Sequence, residues 1–116
     1  MTKRLVVAGG RDFNDYKRVE EVLNQVRQHF EFAVVCGKAK GADTLGEIYA
    51  KNNNLIIHYY PADWNKYGKS AGYRRNVEMA ENAEYLVAFW DGESRGTEHM
   101  INIAAERGLK VLVVRY

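Results

Sequence analysis

Five short apolar runs recur along the 116 residues without alternating with polar ones: Leu5–Ala8, Ala33–Cys36, Leu55–Ile57 leading into Tyr59, Tyr85–Trp90 and Val111–Val114. An unbroken apolar run suits a strand covered on both faces, as in a parallel sheet between helices, whereas a sheet with one wet face alternates. Helical stripes fill the gaps. Val19, Val22, Leu23, Val26 and Phe30 follow a 3.6-residue period, with Asn14 or Asp15 as the cap. Leu45, Ile48 and Tyr49 mark a second helix that begins near Asp43 and fades at Asn52–Asn54, and Tyr73, Val77, Ala80 and Ala83 mark a third. Met100, Ile101, Ala104 and Ala105 mark the fourth, with Thr97 as its cap and Gly108 as its stop. Strict alternation of strand and helix predicts a three-layer α/β/α sandwich with right-handed crossovers. Its economical strand order is 3-2-1-4-5, which puts the ligand cleft beyond the carboxyl ends of strands 1 and 4.

The length fits one domain spanning residues 1–116, and the lone cysteine, Cys36, suits a reducing compartment, so a cytoplasmic location is expected. No run reaches the roughly 18 apolar residues of a membrane span. A net charge of +2 disfavours a dedicated nucleic-acid binder and requires any anion site to be local. His29, His58 and His99 lack metal-ligand spacing, and neither a metal nor a cofactor is expected. Eight Tyr and two Trp would suit a pocket or a homodimer interface.

The two loops at the expected cleft are the unusual ones. Strand 1 runs into Gly9-Gly10-Arg11-Asp12-Phe13, and strand 4 into Asp91-Gly92-Glu93-Ser94-Arg95-Gly96-Thr97. Glycines let backbone approach a ligand, and the free N–H groups of a helix start favour an anion. Taken singly, each loop reads more simply as a tight turn with a helix cap; it is their expected adjacency that points to a shared phosphate site. Strand 2 leads into Gly37-Lys38-Ala39-Lys40-Gly41-Ala42-Asp43, where Asp43 reads most simply as an N-cap and the lysines as a solvated loop. Gly41 and Asp43 are also ligand candidates. The connection from Tyr59 to Lys69 gathers Trp64, Tyr67 and Lys69, which suit base stacking and phosphate contact, or equally a packed lid. Next comes Arg74-Arg75-Asn76. Neighbouring helical residues diverge by about 100°, so only one arginine faces a pocket, and Arg75 with Asn76 is expected there rather than in a surface pair with Glu78 or Glu81. Neither a P-loop nor G-x-G-x-x-G is present, and strand 2 ends in Cys36-Gly37-Lys38 without the acid that holds a ribose in dinucleotide folds.

Taken together, Gly9-Gly10-Arg11-Asp12-Phe13, Gly41-Ala42-Asp43, Pro61-Ala62-Asp63-Trp64, Gly68-Lys69, Arg75-Asn76 and Asp91-Gly92 with Gly96-Thr97 resemble the YspA-related branch of the SLOG superfamily. These are Rossmann-like domains akin to Lonely-guy phosphoribohydrolases, lysine-decarboxylase-like proteins and DNA-processing protein A. The resemblance implies a nucleotide-derived ligand whose phosphate sits on the Gly96-Thr97 helix start beside Arg75. The hydrolases resemble P-G-G-x-G-T-x-x-E; aligned on Gly96-Thr97, this chain has Met100 where the catalytic Glu belongs. The expected function is therefore binding of a nucleoside phosphate or ADP-ribose-like signal as sensor, carrier or sequestering protein. The alternative is N-glycosidic hydrolysis of nucleoside 5′-monophosphates, with Arg75 and Thr97 on the phosphate and Asp91 or Glu98 as the catalytic carboxylate at the ribose, and the third reading is single-strand nucleic-acid binding.

Overall fold

A computed structural model of the chain describes residues 2–116. The elements run β1 (Lys3–Gly9), α1 (Tyr16–Arg27), β2 (Phe32–Cys36), α2 (Ala42–Asn52), β3 (Ile57–Tyr59), α3 (Trp64–Tyr67), a 3-10 turn (Gly68–Ser70), α4 (Ala71–Glu81), β4 (Tyr85–Trp90), α5 (Arg95–Glu106) and β5 (Lys110–Arg115). All strand pairs are parallel, in the order β3-β2-β1-β4-β5. This is the Rossmann-like α/β/α arrangement that the apolar runs predict.

The central strands are apolar along their buried stretches because successive residues there meet one helical layer or the other. Leu5, Val7, Val34, Val87 and Phe89 pack with Val19, Leu23 and Tyr49 of α1 and α2. Val6, Ala8, Val35, Leu86 and Ala88 pack on the opposite face with Met79, Ala80, Met100 and Ala104 of α4 and α5. Asp15 caps α1, its carboxylate accepting from Arg18 N at 3.1 Å, and Gly108 follows α5 in the left-handed region (φ 81°).

Several local expectations are corrected. Ser94, not Thr97, is the N-cap of α5, so the helix starts at Arg95. Gly41, not Asp43, is the N-cap of α2, and Asp43 sits inside the first turn. Ile48 is 40% exposed; α2 turns Ala42, Gly46, Tyr49 and Ala50 inward. Small residues are needed there, because a Cβ at Gly46 would stand 2.7 Å from Val7 Cβ. In α4 the buried face is Asn76, Met79 and Ala80, while Tyr73 is exposed at the cleft. The fifth apolar run is only half covered, for β5 is an edge strand and its Leu112 is 47% exposed.

Candidate functional site

Glycines at the carboxyl ends of β1 and β2 bring three loops into contact. Gly10 O accepts from Phe13 N at 3.2 Å and from Ala42 N at 3.3 Å, which ties the β1 loop to the start of α2. Gly10 N in turn donates to Phe89 O at 3.2 Å, binding the loop to β4. Gly41 adopts φ 79°, and a Cβ there would press on the backbone of Gly10 and Arg11. The last two residues brace the other side. Tyr116 OH donates to Asp12 Oδ1 at 3.1 Å, and the Arg115 guanidinium lies 5.2 Å from the Trp90 ring centroid, against Gly92. The β4 loop closes on itself, with Asp91 Oδ1 accepting from Glu93 N and Ser94 N at 2.8 Å each.

Above these loops lies a cavity of about 360 Å³, within the range of small-molecule sites. Its wall includes Gly9, Arg11, Asp43, Trp64, Lys69, Arg75, Asn76, Ser94, Gly96 and Thr97, all expected from the sequence. Arg11 and Thr97 thus meet at one opening although 86 positions separate them. The other four ligand candidates lie behind the wall. Gly10, Asp12, Gly41 and Gly92 shape and brace the loops instead of lining the space. Neither acid assigned to catalysis lines the cavity either. Asp91 is spent on its own turn, where the Ser94 and Glu93 N–H groups hold its carboxyl below the usual range, and Glu98 is exposed.

The α5 end of the cavity suits an anion. First-turn N–H groups have no intrahelical acceptor, and a Cβ at Gly96 would meet nothing within 4 Å, so the approach is open. Ser94 Oγ and Thr97 Oγ1 stand 3.1 Å apart beside it. Arg75 is held for the same space by its own bonds, donating through Nη1 to Gly37 O and through Nε to Asn76 Oδ1 at 3.0 Å. Asn76 Nδ2 reaches Gly96 O at 3.4 Å and lies 3.2 Å from His99 Nδ1. Burial holds the His99 imidazole below its ordinary pKa, consistent with a neutral ring that accepts from the amide. Trp64, 51% exposed, lays its indole 3.4 Å from the Cβ position of Gly72 and offers its outer surface to the cavity.

Residues that the motifs did not single out for the cavity complete it: Ala8, Ala39, Gly72, Tyr73, Met79 and Met100. Met100, 1% exposed, gives the wall a thioether at the position where the resemblance calls for a carboxylate. Cys36 takes no part in the wall. Its sulfur accepts from Lys38 N and lies 3.8 Å from Asp43 O, and burial pushes the thiol up to about 11.

Asp43 is the unexpected feature. It is 5% exposed yet lines the cavity, and burial lifts its carboxyl to about 6 against the opposing pull of Arg75 and nearby backbone N–H groups. The folded state therefore holds a proton that the unfolded chain has already released between about pH 4 and pH 6. Stability from this group is full below pH 4 and is lost as pH rises through 6, by up to about 3 kcal/mol. Thermal melts across pH 4–8 should show that decline in the wild type and not in Asp43→Asn, which should be the more stable chain at pH 7.5. Parallel pH profiles for the two would contradict the assignment.

Fold and cleft define a Rossmann-like domain with a cationic, aromatic-edged opening at its topological switch point. The family model described as YspA, cpYpsA-related SLOG matches residues 3–67, and the chain belongs to that family. It is similar to Gene 61 protein of Mycobacterium phage D29, with 32% identity over 118 residues that cover 95% of this chain and 94% of that protein. Among solved structures, DNA processing protein A (DprA) from Streptococcus pneumoniae shares the fold at 21% identity and a TM-score of 0.78. That match covers 97% of this chain and 50% of the other, so the chain spans half the length of the solved relative. Among the described residues no helix is long and apolar enough to cross a membrane.

Proposed function

We propose that the chain binds a nucleotide or nucleotide-derived ligand, a nucleoside phosphate or an ADP-ribose-like molecule, as a sensor, carrier or sequestering protein. The observation that carries this reading is the convergence of Arg11, Lys69, Arg75 and the open α5 start on one cavity edged by Trp64. Phosphate is placed against Ser94, Gly96 and Thr97, where helix dipole and hydroxyl donors act together, with the planar fork of Arg75 beside it. Trp64 stacks the base. Membership of a SLOG family supports a nucleotide-related ligand at this position.

Binding is preferred to N-glycosidic hydrolysis because Met100 occupies the place of the hydrolytic Glu and because Asp91 and Glu98 do not line the cavity. A thermal-shift panel of ribonucleoside mono- and diphosphates and ADP-ribose tests the reading. A specific ligand at about one hundred times its Kd adds roughly 2.7 kcal/mol, which raises the midpoint of a domain this size by about 10 °C. No shift with any member of the panel removes the proposal. Release of free base on prolonged incubation would instead favour the hydrolase.

A further inference from the structure

We propose that Asp43 and Arg75 form a hydroxyl-recognition pair at the β2 end of the cavity, so that the ligand carries a ribose with free hydroxyls rather than a deoxyribose. This rests on the nucleotide reading above and deepens it. Asp43 Oδ2 lies 2.8 Å, and Arg75 Nη1 2.7 Å, from the point where a Cβ of Gly37 would stand. Two atoms so placed around one point are no more than about 5.5 Å apart. They nevertheless do not close to the 4.0 Å of an ion pair.

The arginine instead spends two of its five donors on Gly37 O and Asn76 Oδ1, which leaves three unused. Acceptor and donor are thus held a little too far apart to satisfy each other. One hydroxyl oxygen fits between them, donating to the carboxylate at about 2.7 Å and accepting from the guanidinium at about 2.9 Å. Glycine at 37 keeps that gap free, since any side chain there would start inside it.

Charge fixes which part of the ligand goes where. An ionised Asp43 repels phosphate, so the anionic group is confined to the α5 end and the sugar falls to the β2 end. Backbone N–H groups of Gly37 and Ala39 already hold the carboxylate in place, and its burial makes a further hydroxyl donor from the ligand worth more than the same contact in water. An acid is therefore present at the end of β2 after all. It reaches there from the first turn of α2 rather than from the strand itself.

The test is calorimetric titration of the wild-type chain with the 5′-monophosphates of adenosine, guanosine, cytidine and uridine and with their 2′-deoxy and 3′-deoxy counterparts. The best ribonucleotide should bind about tenfold or more tightly than its 2′-deoxy or its 3′-deoxy form. Asp43→Asn should bring that ratio close to one, whereas Lys69→Ala should weaken ribo and deoxy forms by the same factor. Equal binding of ribo and deoxy forms by the wild type, or a ratio that survives in Asp43→Asn, overturns this inference and leaves the nucleotide reading standing. Failure of every nucleotide to bind the wild type overturns both.

Discussion

Gly41→Ala is expected to cost at least about 3 kcal/mol of stability and to lower the melting midpoint by about 10 °C. Gly41 has φ 79° and ψ −125°, the mirror image of extended backbone, which residues with a Cβ rarely occupy. Relief by side-chain movement is not available there. The added methyl would stand 2.7 Å from the carbonyl carbon and oxygen of Arg11 and nearer still to Gly10 O, all of them backbone atoms. Either the β1 loop or the start of α2 must give way, and both are bound to β4 through Gly10. Thermal denaturation of wild type and variant measures the difference. A midpoint unchanged within 2 °C would mean that the junction is far softer than its geometry indicates. By contrast Gly96→Ala, with no neighbour within 4 Å, should leave stability nearly untouched.

Arg75→Ala is the substitution expected to hurt ligand binding most. The guanidinium lines the same cavity as Asp43 and Thr97, and a hydrogen bond to a charged group contributes about 1.5–3 kcal/mol. Loss of one such contact predicts roughly 10- to 100-fold weaker affinity for the best nucleotide of the panel. Stability should fall as well at neutral pH, because Gly37 is buried and its carbonyl loses the Arg75 donor, while the buried Asp43 carboxylate loses the positive charge that opposes its desolvation. Arg75→Lys should recover charge without the fork and fall between the two. If Arg75→Ala binds the nucleotide as the wild type does, the phosphate and the sugar both lie elsewhere.

The parallel sheet is legible in the apolar runs because β1, β2 and β4 have helices on both faces, and a doubly covered strand has no polar half to disguise it; the strand order is then the economical one for such strands. The β5 run misled on burial alone. Val111–Val114 is as apolar as the central strands, but its outer edge pairs with nothing and Leu112 stays exposed. Most of the cavity was also legible, since glycine-rich loops after strands and an arginine at a helix start are local signals. Two kinds of information were not. Whether a residue lines a cavity or props the loop behind it depends on contacts across the sheet, which is why Asp12 and Gly92 sit against Tyr116 and Arg115 rather than in the cavity wall. The inward turn of Asp43 is hidden in the sequence for a related reason. An acid at the start of a helix is usually a cap, and only the left-handed glycine before it shifts the helix start by two residues and turns the carboxylate inward.

The bracing by Arg115 and Tyr116 couples parts of the molecule that share no ligand contact. Both loops of the cleft lean on residues at the end of β5, an edge strand held on one side only. Fraying of that margin would release the two loops together. The lifetime of the formed cleft is then governed by its least protected hydrogen-bond ladder, and a molecule captured between the loops tightens a seam that it never touches.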